Sequence, residues 1–132
     1  MTSWSQQLLL VMLGGALGAG GRYWLGSALL RQFGNGIPWG TLAANLIGSF
    51  LAGFLVVWLE NRGHAALYWR AFLIVGVMGG LTTFSALMVE TLLLARSQRS
   101  DFLLGYLGGT LVAGFILVWA GARLAALVRT PY

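Results

Sequence analysis

The sequence contains no cysteine, which excludes disulfides and cysteine-ligated metals. It has only three acidic residues, Glu60, Glu90 and Asp101, and its eight basic residues are all arginine. Charged residues make up 8% of the chain, against about 25% in an ordinary soluble domain. With so few charges, a 132-residue soluble domain could not hide a 58% hydrophobic content from water. A bilayer removes that difficulty, because apolar side chains can face lipid. No nucleophile–base pair, metal-ligand cluster or phosphate loop is visible, and nothing points to an enzyme. Gly18-Ala19-Gly20-Gly21 lies inside an apolar run, so it does not read as a dinucleotide loop. The +5 net charge is carried by arginines scattered between apolar runs. They read as interface anchors facing anionic headgroups, and not as a nucleic-acid patch.

A spanning helix needs about 20 mostly apolar residues. Four segments meet that length, at about Gln7–Leu30, Ile37–Leu59, Trp69–Ala95 and Phe102–Val128. The reading is therefore an all-α membrane protein, with residues 1–132 forming a single four-helix transmembrane domain. The first apolar run has no basic segment before it and no processing site, so the first helix is expected to stay. The connections are short and polar: Asn35-Gly36-Ile37-Pro38, Glu60 to His64, and Arg96 to Asp101. Trp39, Trp58, Tyr68, Trp69, Tyr106 and Trp119 lie mostly near span ends, where amphipathic rings sit at headgroup depth. His64 reads as a solvated loop residue.

Arginines are balanced across the two sides. One side carries Arg62, Arg70, Arg123 and Arg129; the other carries Arg31, Arg96 and Arg99, with Arg22 leaning towards it. The positive-inside rule thus gives almost no instruction. Such a chain can insert both ways, and two opposite copies can form an inverted pair. Small residues recur at four-residue spacing in Gly14/Gly18, Ala44/Gly48, Gly76/Gly80 and Gly105/Gly109, which predicts close helix packing in lipid.

Several residues do not suit hydrocarbon. Gly79-Gly80-Leu81-Thr82-Thr83-Phe84-Ser85 is a poor helix centre. Either the third span breaks there, releasing carbonyls suited to a small hard cation such as Na+, or it kinks with its threonines bonded back to their own backbone. Asn45 and Ser49 share one face of span two. Tyr106, Thr110 and Gly114 form a stripe of hydroxyls followed by a gap on span four. Each polar residue reads as part of a wet track or as interhelical glue. Glu90 is the one acidic residue inside a span. It is either protonated or bonded to a helix end or to Arg22. Arg22 alternatively snorkels to the interface.

Four segments together resemble the Fluc (CrcB) fluoride channels. They are Gly14 to Tyr23, Gly40 to Phe50, Gly76 to Ser85 and the Tyr106/Thr110 stripe. The second and third are specific, and the match runs in order through nearly the whole chain. The resemblance implies an antiparallel, dual-topology homodimer in the cell inner membrane. It implies two pores that export fluoride passively and lower its toxicity. It also implies a third helix broken mid-membrane, and a central structural Na+ on the backbone carbonyls of Gly79 and Thr82. Asn45, Phe84, Ser85, Tyr106 and Thr110 fall on pore or anion-binding positions, with Arg22 and Glu90 in structural or vestibule roles. Thr110 stands where many members have serine, and Gly114 lacks a hydroxyl that some members carry. Leu87 replaces the family's usual second phenylalanine, whose positively polarised ring edge can face an anion.

The main rival is a small multidrug-type proton-coupled exporter, also four-span and dual-topology. Those depend on a glutamate in the first span. Here the first span has no acidic residue and Glu90 lies in the third. A non-transporting assembly subunit would not need polar stripes on two helices.

Overall fold

The computed structural model describes residues 2–129. It is all-helical, with four helices long and apolar enough to span a membrane: Ser3–Phe33, Trp39–Trp58, Ala65–Arg96 and Ser100–Val128. Helix α1 (Ser3–Phe33) and helix α2 (Trp39–Trp58) are the first two spans. The third span is composite. It comprises α3 (Ala65–Trp69), a π-helical stretch (Arg70–Met78), α4 (Gly79–Leu81) and α5 (Phe84–Arg96). Helix α6 (Ser100–Val128) is the fourth.

The first, third and fourth spans extend beyond their apolar runs. Thirty-one residues of α1 rise about 46 Å at 1.5 Å each, more than the roughly 30 Å of hydrocarbon. Their polar ends reach the headgroup zone, where a helix still satisfies its own backbone. Helix α1 starts on Thr2, whose side chain accepts from the Ser5 N–H. It stops at Gly34, whose φ of 74° is open to glycine and whose N–H donates to the Leu30 carbonyl. At the end of α2, Arg129 donates to the carbonyls of Val57 and Glu60, capping the helix from the far end of the chain.

Glycines decide which spans touch. A Cβ at Gly14 or Gly18 would overlap the carbonyl of Phe72 or Val77, and one at Gly80 would meet the backbone of Gly15 and Ala19. Hence α1 lies directly on the π-helical stretch and α4. Gly53 and Gly121 do the same for α2 and α6, against the carbonyls of Val118 and Phe50. The Gly105/Gly109 pair does not join helices within the chain, since a Cβ at either would meet nothing within 4 Å. Four-residue spacing identifies a small face but does not say which way it points; Ser49/Gly53 and Gly121/Ala125 share the spacing of Gly105/Gly109, yet Gly53 and Gly121 are packed between helices.

Most large apolar side chains point outward, among them Leu17, Leu104, Leu127 and Trp119. In a membrane these face lipid. The small buried cluster at Leu87, Leu94 and Tyr106, joined by Leu42, Met88 and Phe102, ties α2, α5 and α6 together.

Candidate pore site

Near the middle of the third span, Thr82 (φ -82°, ψ 152°) and Thr83 (φ -151°, ψ 116°) are extended and separate α4 from α5. Glycine and threonine hold a helix weakly, so neighbours decide the outcome. Thr82 stays tied to the preceding turn, its N–H and its hydroxyl both donating to the Met78 carbonyl, at 2.9 and 2.8 Å. Thr83 turns away. Its N–H donates to Asn45 Oδ1 at 2.6 Å, and its carbonyl accepts from Asn45 Nδ2 at 3.0 Å. The Thr83 hydroxyl accepts from the Ala86 N–H at 3.1 Å and caps α5.

Helix α2 is shaped for this contact. Ala44 is fully buried, and Gly48 leaves room for the Thr82 methyl, which a Cβ there would strike. From the other side, Arg22 Nε donates to the Gly80 carbonyl at 3.1 Å. Arg22 is thus anchored on the third span, and it bonds neither Glu90 nor water-facing groups of its own helix.

Glu90 is held by two hydroxyls. Thr41 Oγ1 donates to one carboxylate oxygen at 2.6 Å, and the Tyr106 hydroxyl donates to the other at 2.8 Å. The sequence offers Glu90 a proton, a helix end or Arg22; in the fold Arg22 bonds Gly80, and α2 and α6 supply the donors to Glu90. Thr41 is a site residue that sequence reasoning alone misses. Its signal is its spacing, since Thr41, Asn45 and Ser49 fall at i, i+4 and i+8 on one face of α2.

Two cavities flank the Glu90–Tyr106 pair. One, of about 730 Å³, is lined by Arg22, Thr41, Glu90 and Arg99, with two cations and one carboxylate. The other, of about 410 Å³, is an open groove lined by Asn45, Ser49, Thr83, Leu87, Thr110 and Gly114, with Phe84 at its edge. Tyr106 donates to Glu90, which lines the first cavity, and lies one helical turn before Thr110, which lines the second. Thr110 is 7% exposed, and its hydroxyl has no hydrogen-bond partner among the described residues. Buried polar atoms are ordinarily paired, so this one keeps unused bonding capacity.

Phe84 and Leu87 sit differently. Phe84 is 70% exposed, its ring outside the chain's own packing. Leu87 is 3% exposed and belongs to the Tyr106 cluster. Ser85 is exposed at the first turn of α5, with its hydroxyl 3.3 Å from that of Thr83.

Residues 9–122 match the family described as CrcB-like protein, Camphor Resistance (CrcB). The chain belongs to the CrcB family. It is 60% identical over 125 residues to a protein of Xylella fastidiosa (strain M23) named fluoride-specific ion channel FluC, across 95% of this chain and 94% of that one. Proteins of the same name from Xanthomonas axonopodis pv. citri (strain 306) and Caulobacter sp. (strain K31) are 59% and 42% identical. These alignments cover 91% and 90% of this chain, and 90% and 94% of the relatives. The matched CrcB region contains both cavities, the Thr82–Thr83 interruption and every candidate site residue. The relatives are named as channels and not as enzymes.

Proposed function

We propose that this protein is a fluoride channel that lets fluoride leave the cell passively across the inner membrane. The observation that carries the reading is the buried Thr110 hydroxyl, without a partner among the described residues, on a residue that lines the groove one turn from Tyr106. Fluoride is a small anion and a strong hydrogen-bond acceptor, so a row of hydroxyl donors suits it. Arg22 and Arg99 make the wider cavity attractive to anions, and Glu90 is tied down by two hydroxyls beside it. The relatives' shared name supports the choice of ion.

The conducting unit is two chains packed antiparallel, with two pores. The groove is open along one side and Phe84 projects from it, so a second copy is needed to close a path. The balanced arginines allow that copy to insert in the opposite sense. Phe84 then presents its ring edge to an anion in the partner's groove, and Asn45, Ser85, Tyr106 and Thr110 line the route.

A structural Na+ fits the interruption of the third span. Turning the Thr83 N–H to Asn45 frees the Gly79 carbonyl, which it would pair with in a continuous helix. Capping Ala86 with the Thr83 hydroxyl frees the Thr82 carbonyl in the same way. Gly79 is exposed, and a Cβ there would find only the Ile74 carbonyl, at 3.9 Å. These two carbonyls would hold the ion; it would lock the paired chains together. The exporter reading has no support of this kind, because the embedded carboxylate lies on the third span and is already bonded.

Purified protein in liposomes loaded with fluoride tests the proposal. Rapid efflux at a fluoride electrode is expected once charge balance is allowed. Efflux equal to that of empty liposomes refutes the reading.

A further inference from the structure

We propose that Ser49 supplies a pore hydroxyl from α2 at the point where the α6 row runs out; this rests on the channel reading above. Tyr106 and Thr110 occupy successive turns of α6, and the next turn carries Gly114, which has no side chain to offer. The Ser49 Oγ fills that gap. It lies 3.5 Å from where a Cβ on Gly114 would sit, and both residues line the groove that Thr110 faces.

The Ser49 hydroxyl, like that of Thr110, has no partner among the described residues, unlike several other hydroxyls of the spans. Hydroxyls inside helices commonly bond back to a carbonyl one turn earlier. Thr91 and Ser97 do so, to Met88 and Leu94. The half-buried Ser49 donates to no group among the described residues. Its position is fixed, because Gly53 and Gly121 bring α2 and α6 into backbone contact beyond it. An anion leaving Thr110 therefore meets the next donor from the neighbouring helix. The free donors run from Thr110 on α6 to Ser49 on α2; the Tyr106 proton, one turn earlier, is held by Glu90.

The test uses Ser49→Ala, Gly114→Ser and the double variant, each reconstituted in liposomes and compared with wild type for fluoride efflux. A hydrogen bond to an ion changes a rate by roughly tenfold or more, so Ser49→Ala is expected to slow efflux by at least about tenfold. Because a Cβ at position 114 has ordinary clearance, Gly114→Ser in the Ser49→Ala background returns a hydroxyl to the same place and restores most of the rate. Size-exclusion profiles confirm assembly. Rescue supports the inference, since packing lost at one helix is not repaired by a hydroxyl on another. Wild-type rates in Ser49→Ala overturn it, as does a loss that Gly114→Ser leaves unrepaired. If wild type itself passes no fluoride, the channel reading fails and the inference falls with it.

Discussion

Replacing Asn45 tests the central structural claim. Its amide makes two bonds to one residue, accepting from the Thr83 N–H at 2.6 Å and donating from Nδ2 to the Thr83 carbonyl at 3.0 Å. Asn45→Ala leaves both half-buried backbone groups without this partner. A buried unpaired group costs about 1–3 kcal/mol in soluble proteins. Hydrogen bonds between membrane helices average nearer 0.6 kcal/mol, because the disordered reference state also finds partners. Two bonds between these limits give a loss of about 2–4 kcal/mol. Asn45→Asp separates the two functions of the amide. An ionised carboxylate still accepts from the N–H but cannot donate, and it sets a negative charge against the Thr83 carbonyl. It should therefore abolish fluoride efflux even where the protein still folds. Thermal unfolding in detergent, followed by tryptophan fluorescence, measures the first effect, and proteoliposome efflux measures the second. An unchanged midpoint for Asn45→Ala would refute the claim that this amide holds Thr83 out of the helix. Unchanged efflux for Asn45→Asp would remove Asn45 from the pore.

Phe84→Leu should stop fluoride efflux while leaving assembly intact by size exclusion, since the ring is 70% exposed and contributes little to the chain's own core. Leu87→Phe should be tolerated in the same assays, because it restores the pattern of the family's second phenylalanine at a position that also lines the groove. Gly18→Ala should lower the unfolding temperature, at a cost of about 1–3 kcal/mol from overpacking, because its Cβ would overlap the Val77 carbonyl. Gly15→Ala, with open space around it, should be neutral or stabilising by up to about 1 kcal/mol in the same measurement. Three lysines added to one side of the chain should fix a single orientation in reporter fusions and reduce efflux from cells.

Membrane class and span number were legible because they depend on amount and order alone. Twenty apolar residues in a row have one stable fate in lipid, whatever they pack against. The weak point in the third span was legible for a similar reason, since glycine and threonine propensity is local. The ends of the spans were less so: Ser3, Ala65 and Ser100 begin helices because amphipathic and polar turns remain helical in the headgroup zone. Periodicity placed Asn45 with Ser49, and Tyr106 with Thr110, on shared faces.

Which faces meet was beyond periodicity. The partners of Glu90 lie 49 residues before it and 16 after it in sequence, and no local signal joins Thr41 to Tyr106. The same holds for Asn45 and Thr83, for Arg22 and Gly80, and for Ser49 beside Gly114. The sequence by itself determined four apolar helices, a balanced arginine distribution and polar groups at depth, because lipid acts on each segment separately. Tertiary structure alone decided that Asn45 holds the Thr83 backbone, that Thr110 has no partner among the described residues, and that Phe84 points out while Leu87 points in. Those outcomes depend on how closely glycine backbones let the helices approach, and that distance is set by both helices at once.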